Sequence, residues 1–292
     1  MIIDCHAHYE PRILDDQSIL EGMYEAGVDK TVLISHLTDP PETQKGNFTM
    51  AVQRFMFDSN FLRPLGIAIT KSMYKKSGEW NLWFNKLKKD PQKFNIVQKP
   101  DNEGIARVIE KFPDKFLGWI FINPLMPESL DELDRWKDSP GMIGVKIHPF
   151  WHQFPIEAVE AVGRRTEELG LPLLVHLGFD ASGNYRWLID KFPRLKIIIA
   201  HLGVPFYKKL WPEVIRNQNI FMDISSTYHV DEGMVHRAVK EVGAHKCFFG
   251  TDSPYAHVDA VKQIKNWVQN LPVSDLDKGR IFSTNFLELI DR

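Results

Sequence analysis

Short apolar runs alternate with amphipathic, helix-like segments along nearly the whole chain. Eight of the runs have the length and composition of strands: 1–8, 30–35, 116–123, 143–148, 173–176, 196–201, 220–225 and 247–252. Strands that alternate with helices are typical of parallel βα units. Eight such units over roughly 250 residues predict a closed (β/α)8 TIM barrel of the α/β class.

An open, doubly wound sheet is the alternative fold for this pattern. Glycine-rich phosphate loops do not follow any of the strands, so a dinucleotide site is not supported. The helix-like segments carry single apolar stripes. One stripe is formed by Ile156, Val159 and Val162 and ends near Gly170, a typical C-cap. We expect these stripes to pack against the barrel.

One connection is much longer than the others. Residues 36–115 separate the second strand from the third and include helix-like runs at 48–61 and 103–111, with an aromatic cluster at 80–84 between them. Long connections are often functional lids, and this one leaves the end of a barrel where active sites form. We predict that 36–115 is a cap within a single domain of residues 1–292. The alternative is a peripheral insertion that supports an oligomer contact.

Polar residues stand at the ends of several apolar strands. His6 and His8 are two positions apart on the first strand, so their side chains share a face. His176, His201 and Asp252 end three more strands. A lone His-x-His pair is usually unremarkable, but four histidines and an aspartate at strand ends form a mixed imidazole and carboxylate set. Such a set suits zinc or a similar divalent ion with an open position for water.

Composition and charge narrow the choice of partners and location. A net charge of −2 and an isoelectric point near 6.6 create no field that favours nucleic acid. No apolar window approaches the ~18 residues of a membrane span, and the acid at position 4 argues against a signal peptide. With two cysteines inside strands, we expect a cytoplasmic protein. We expect a small-molecule substrate, no nucleic-acid or membrane partner, and a homo-oligomer, most simply a dimer.

Four sequence motifs, in the order in which they occur, resemble those of a known family. They are His6-Ala7-His8, His176, His201-Leu202-Gly203 and Phe249-Gly250-Thr251-Asp252-Ser253-Pro254. The set resembles the amidohydrolase superfamily, and most closely its amidohydrolase-2 group of aminocarboxymuconate-semialdehyde decarboxylase-like metal-dependent enzymes. The resemblance extends from the first strand to Asn285, so it covers nearly the whole chain.

The resemblance implies a role for each of these residues. His6, His8, His176 and Asp252 would bind one divalent metal ion, with zinc expected and manganese or another divalent ion as alternatives. A divalent ion lowers the pKa of bound water to about 7, which makes hydroxide available. His201 and Asp252 would be catalytic, His201 as a histidine outside the ligand set that orients or deprotonates that water, and Asp252 as a proton shuttle.

Four further residues are candidate substrate contacts. Lys146 and His148 share a face of the fourth strand, where they could contact a substrate anion or support a metal ligand. A carboxylated Lys146 that bridges two ions is the alternative. His36 and His229 follow the second and seventh strands and are expected to line the pocket, whereas His152 is expected at the surface.

The family resemblance implies a metal-dependent hydrolase. Metal-bound hydroxide would attack an ester, lactone or amide carbon of a small, carboxylated or aromatic substrate. The alternative is a non-oxidative decarboxylase, or carboxy-lyase, acting on an aromatic or muconate-like acid at the same metal site. No arginine stands at a strand end to hold a carboxylate, which favours hydrolysis. A third hypothesis is a catalytically inactive metal-binding barrel, against which the complete ligand set argues.

Overall fold

Eight parallel strands alternate with helices to form a TIM barrel, which confirms the predicted α/β fold. The computed structural model describes residues 1–38, 55–56, 59, 61–72, 79–81, 93–255 and 259–291. The strands within these residues are β1 (Ile3–Tyr9), β2 (Lys30–Ser35), β3 (Glu79–Asn81), β4 (Lys93–Asn95), β5 (Phe116–Phe121), β6 (Met142–Ile147), β7 (Leu173–Val175), β8 (Ile197–Ile199), β9 (Ile220–Asp223) and β10 (Cys247–Phe248). The barrel follows the order β1-β2-β5-β6-β7-β8-β9-β10, and β3 and β4 form a separate antiparallel pair.

Helices follow most of the barrel strands, as the apolar stripes predicted. The α-helices in the described residues are α1 (Asp16–Ala26), α2 (Arg63–Ser72), α3 (Asn102–Lys111), α4 (Ser129–Trp136), α5 (Pro149–His152), α6 (Glu160–Glu168), α7 (Tyr185–Lys191), α8 (Tyr207–Arg216), α9 (Glu232–Glu241), α10 (Ala260–Gln269), α11 (Asp275–Gly279) and α12 (Asn285–Ile290). None of these helices is long and apolar enough to cross a membrane.

The first strand and the segment after the last strand close the barrel. The Cys5 amide donates to the Phe249 carbonyl at 2.9 Å, and the His8 amide donates to the Ser253 carbonyl at 2.7 Å. The β1–β2 register shifts so that two residues, Cys5 and His6, stand opposite Val32. Such a bulge redirects side chains, and bulges are frequent beside active sites.

Apolar side chains fill two layers, because successive strand residues point to opposite faces. Leu33, Val145 and Leu173 pack outward under the helices. Val32, Trp119 and Phe286 belong to a second cluster, which fills the interior. Trp119 also donates its indole N–H to the Cys5 carbonyl at 2.9 Å, which fixes the bulged part of β1.

The predicted 36–115 insertion divides into two parts. Its last helix, α3, buries Ile105 and Ile109 in the core that includes strands β2 and β5, as a barrel helix does. The cap prediction therefore concerns only the part before α3, where it stays a prediction. The sequence did not predict α2, whose Ile67 packs against the Phe150–Phe179 cluster. The predicted 48–61 helix lies largely outside the described residues, as does most of the aromatic cluster at 80–84.

Candidate metal centre

Three predicted metal ligands meet at one point. His6 Nε2 lies 3.5 Å from Asp252 Oδ1, and His8 Nε2 lies 3.4 Å from the same oxygen. A tetrahedral site with nitrogen and oxygen ligands at about 2.0–2.2 Å places those atoms roughly 3.3–3.5 Å apart. The two imidazoles are buried and the Asp252 side chain is 14% exposed, so one side of the group is open to a substrate.

The other nitrogen of each imidazole is held by an acceptor. His8 Nδ1 lies 3.3 Å from the Ser35 carbonyl oxygen, and His6 Nδ1 lies 2.8 Å from Asp223 Oδ2. A carbonyl or an ionised carboxylate only accepts hydrogen bonds, so each Nδ1 carries the proton and each Nε2 presents a lone pair. Metal-binding histidines are oriented in this way in many proteins. The donor set therefore fits a divalent ion.

The loop that carries Asp252 is fixed by β1. Asp252 has a positive φ of 61°, and its amide donates to the His6 carbonyl at 2.6 Å. The preceding Thr251 donates its amide and its hydroxyl to the Asp4 carboxylate at 3.0 and 2.6 Å. Burial raises the pKa of Asp4 to about 7, although these hydrogen bonds oppose the shift.

Gly250 allows this loop to lie against the imidazoles. A Cβ at this position would lie 3.0 Å from the His6 Cβ and 3.2 Å from the Ser225 Cβ. These distances are tighter than most Cβ contacts, so a larger residue would have to displace His6 or Ser225 slightly, and the position favours glycine.

The carboxylates of the centre are ionised. Burial acts to raise the pKa of Asp252, but its electrostatic interactions with the neighbouring imidazoles of His8, His201 and His6 hold it well below its usual range. Burial likewise acts to raise the pKa of Asp223, and its interactions with His6 hold it below its usual range. The Asp252 and Asp223 carboxylates therefore both supply negative charge for a cation.

Lys146 lies at the same centre. Its side chain is fully buried, and Nζ is 3.4 Å from His6 Nε2. Burial lowers the pKa of Lys146 to about 8, and the charges of Asp223 and Asp252 oppose that shift. The sequence prediction placed Lys146 at the site. Whether it contacts a substrate or bridges two ions as a carboxylated lysine stays a prediction.

His6, His8 and Asp252 form the first group of the site. A second group, which consists of His176, His201 and His229, adjoins it. His201 Nε2 lies 2.9 Å from His176 Nδ1, and the His229 ring stacks on the His201 ring with centroids 4.8 Å apart. His201 Nδ1 faces the Ser225 carbonyl at 3.2 Å, so Nδ1 carries the proton. His201 Nε2 then accepts from His176 Nδ1, which leaves a lone pair on His176 Nε2.

Burial keeps His201 and His176 uncharged. It lowers the pKa of His201 to about 3, and it lowers the pKa of His176 well below the usual range. The His6 and His201 rings stack with centroids 5.1 Å apart, so the charged group and the neutral group are neighbours.

The remaining predicted site residues divide between the site and its surroundings. His148 stacks on His176 with ring centroids 4.0 Å apart, so it lies directly beside the second group. His36 belongs to neither group and lies near Glu10. Burial acts to raise the pKa of Glu10, and its hydrogen bonds with Arg12, with a smaller contribution from His36, hold it below its usual range. His176, predicted as the third protein imidazole on the metal, bonds to His201, and its role as a ligand stays a prediction.

An aromatic cavity adjoins the second group. The rings of Phe150 and Phe179 meet edge to face with centroids 4.8 Å apart, and the Phe150 centroid lies 6.5 Å from that of His176. A cavity of about 180 Å³ lies beside them. Its lining residues are Phe150, Gln153, Phe154, Pro155, Phe179, Asp180, Ala181 and Ser182.

Asp223 was missed in the sequence analysis. It follows the apolar run Ile220-Phe221-Met222, but the predicted strand extended to residue 225, which placed Asp223 inside the strand and not at its end. Asp4 was missed as well, since nothing in the sequence links it to Thr251.

The sequence of this chain matches a known protein family. The amidohydrolase family model (Amidohydro_2) matches residues 84–291, more than half of the chain. The chain belongs to this family. It is a metal-dependent enzyme of the amidohydrolase superfamily, and the family and the donor geometry together support a divalent metal site.

Individual relatives of this chain are distant. Gamma-resorcylate decarboxylase of Polaromonas sp. strain JS666 is 21% identical over 250 residues, covering 66% of this chain and 75% of the relative. The 2-keto-4-carboxy-3-hexenedioate hydratase of Sphingobium sp. strain SYK-6 is 23% identical, covering 100% of this chain and 96% of the relative.

A solved structure shows the same fold. Dihydroxybenzoic acid decarboxylase from Polaromonas sp. JS666, with bound manganese and the inhibitor 2-nitroresorcinol, superposes with a TM-score of 0.60 at 16% identity. The superposition covers 99% of this chain and 96% of the other chain.

Proposed function

We propose that this protein is a metal-dependent carboxy-lyase that removes carbon dioxide from a small aromatic or similarly conjugated acid. The observation that carries the proposal is the cavity whose wall residue Phe150 lies beside His176 of the second histidine group. Decarboxylases among the relatives support it, and they favour the carboxy-lyase alternative over the hydrolase that the sequence analysis preferred.

The cavity has about the volume that one ring needs, and Phe150, Phe154 and Phe179 line it together with the polar residues Gln153, Asp180 and Ser182. An engineered apolar cavity of about 150 Å³ holds benzene, and this one measures about 180 Å³. Aromatic walls bind rings through offset or edge-to-face contacts, the arrangement in which Phe150 and Phe179 already meet. A planar, monocyclic substrate therefore suits the cavity better than a bulky one.

Lys146 suits an acid substrate. Because its pKa is about 8, the side chain is mostly protonated at neutral pH, and its ammonium lies 3.4 Å from His6 Nε2. A buried cation attracts a carboxylate strongly, since the low-dielectric interior screens charge poorly. When bound, a divalent ion adds Lewis-acid stabilisation of substrate oxygens. For its identity we propose zinc or manganese.

Decarboxylation requires one proton from the protein. The bond between the ring carbon and the carboxylate breaks, its electron pair stays on the ring carbon, carbon dioxide leaves, and a proton takes its place. Asp252 is the proposed carrier of that proton, because its side chain is the open member of its group. As an ionised carboxylate it would first take the proton up from water at the open side of the site and then deliver it to the ring carbon. His201, which stacks against His6, is proposed to orient the reacting groups.

A hydratase is the second candidate. The Sphingobium hydratase matches the full length of this chain, whereas the decarboxylase match covers two thirds of it. A hydratase would add water across a carbon–carbon double bond of an unsaturated acid and would release no carbon dioxide.

A substrate panel separates the candidates. Purified enzyme loaded with zinc or with manganese would be assayed against hydroxybenzoates, unsaturated dicarboxylates, and aryl esters, lactones and amides. Carbon dioxide release that is absent in Asp252→Ala supports the proposal. Water addition without carbon dioxide indicates the hydratase, and acid release from esters indicates the hydrolase. Full metal loading without any turnover supports the inactive binding barrel.

A further inference from the structure

One buried carboxylate touches both histidine groups. Asp223, at the end of β9, is fully buried. Its Oδ2 lies 2.8 Å from His6 Nδ1. Its Oδ1 accepts the amides of His201 and Ser225, both at 3.0 Å, and the Ser225 hydroxyl.

The first contact fixes the tautomer of His6. An ionised carboxylate offers no proton, so the hydrogen between His6 and Asp223 must be on the imidazole Nδ1. The Ser225 hydroxyl also lies 3.2 Å from this Nδ1, but its own hydrogen is donated to Asp223. The lone pair of His6 is therefore on Nε2, the atom that faces Asp252.

The second set of contacts fixes His201. His201 has a positive φ of 55°, a conformation that residues other than glycine rarely adopt. Its amide is held by Asp223 Oδ1, and its ring Nδ1 faces the carbonyl and the hydroxyl of Ser225 at 3.2 and 2.9 Å. The Ser225 amide and hydroxyl are in turn bonded to Asp223, so the same carboxylate determines the position of both rings.

We infer that Asp223 is a positioning residue that sets the tautomer of His6 and the backbone of His201, and so aligns the two groups with each other. The inference rests on His6 being a metal ligand. It does not depend on which bond the enzyme breaks, so it can be tested without a substrate.

The decisive variant is Asp223→Asn, which conserves size but introduces an amide donor. That donor would face His6 Nδ1 and favour the Nε2–H tautomer, in which a hydrogen replaces the lone pair that faces Asp252. In serine proteases the equivalent exchange leaves the geometry intact and produces the wrong tautomer. Loss of such a supporting contact typically lowers metal affinity 10–100-fold.

Two measurements test the inference. Proton–nitrogen spectra of ¹⁵N-labelled, metal-free protein report which nitrogen of each imidazole carries the hydrogen. Competition with a chelator gives the affinity for Zn²⁺ and Mn²⁺. We expect His6 to change from Nδ1–H to Nε2–H in Asp223→Asn and the affinity to fall by about 10–100-fold.

A control variant separates orientation from stability. Asn102 is also buried and bonds to the Phe121 carbonyl and amide at 3.0 and 2.8 Å, and none of its described bonds involves a histidine. Asn102→Ala should lower the melting temperature and leave the imidazole tautomers unchanged. Ser225→Ala should weaken metal binding less than Asp223→Asn, because the carboxylate remains.

Three results would overturn the inference. The first is wild-type metal affinity in Asp223→Asn. The second is weak binding with His6 still in the Nδ1–H form and a melting temperature lowered as in Asn102→Ala, which would show a structural role only. The third is a spectrum of metal-free wild-type protein in which His6 carries its hydrogen on Nε2 rather than on Nδ1. Failure to find a decarboxylase substrate changes none of these measurements.

Discussion

The two histidine groups are neighbours with opposite electrical character. In the first, His6 and His8 converge on the ionised carboxylate of Asp252. In the second, His176 and His201 are bonded ring to ring, and burial keeps both neutral. A dication is held best where negative charge and free lone pairs coincide. The first group therefore suits the ion, and the second suits the handling of protons and substrate.

The two groups meet at His176. Its predicted role as a metal ligand requires a free lone pair, and the hydrogen-bond pattern leaves one on Nε2. The separation of the two groups therefore depends on His176. If His176 binds the ion, the metal site includes a residue of the second group. If it does not, metal binding is confined to the first group. The following variants test that division.

The largest effect is expected from Asp252→Ala. It removes the negative charge of the first group and leaves two imidazoles facing each other, so bound metal should be lost. Because the ion contributes several kcal/mol to catalysis, turnover should fall by about 1000-fold or more. Metal analysis and steady-state rates measure both effects. His229→Ala, in the second group, is the control and should keep the metal; equal metal loss in both variants would remove the distinction between the groups.

His201→Ala should separate metal binding from catalysis. The variant should keep stoichiometric metal, because no role as a ligand is predicted for His201. Turnover should fall by roughly 100- to 10,000-fold, the usual contribution of a group that takes part in proton transfer. Metal content and kcat, measured on the same preparation, provide the test. Metal loss would instead place His201 in the ligand set.

His176→Ala tests the connection between the groups. If His176 is a ligand, the chelator-competition affinity should fall by about 10-fold or more, since the remaining three donors still bind. His148→Ala is the matched control, because it removes a ring stacked 4.0 Å from His176 without removing a predicted ligand. An affinity unchanged in both variants would confine the metal to the first group.

The smallest effect concerns a buried histidine outside both groups. His152 is 3% exposed and bonds through Nε2 to the Val97 carbonyl at 3.1 Å; burial lowers its pKa from 6.5 to about 4. The unfolded chain then takes up a proton more readily than the folded chain below pH 6.5. This effect should reduce stability as the pH falls from about 6.5 to 4, by about 2 kcal/mol at pH 5.

Urea unfolding of metal-free protein at several pH values measures this effect. His152→Gln keeps a donor for Val97 but does not titrate, so the stability difference between wild type and variant should grow as the pH falls. A difference independent of pH would show that His152 takes up protons equally in both states.

The alternation of apolar and polar residues was sufficient to predict the barrel, because strands and helices have different periods. The predicted bounds of β2 agree with the structure. The predicted strands that end in His201 and Asp252 are too long, since β8 ends at Ile199 and β10 at Phe248. Both site residues adopt positive φ angles in the turns that follow. Hydropathy does not report backbone conformation, so the pattern located these residues without their geometry.

Other errors arose from contacts between distant parts of the chain. His152 was predicted at the surface, but it is buried. Its hydrogen-bond partner there is the Val97 carbonyl, which belongs to the long insertion. The β1 bulge depends on the register with β2, which is not visible in β1 alone. Asp223 acquires its role only because β9 lies beside both His6 and His201.

Closure of the barrel by β1 and the segment after β10 has a consequence for biosynthesis. His6 and His8 precede Asp252 by more than 240 residues, so both imidazoles are synthesised long before the carboxylate. Until Asp252 has been added, a nascent chain carries only the imidazole half of the chelate. Metal acquisition would then follow translation, and retention of the ion would report that the first and last strands have met.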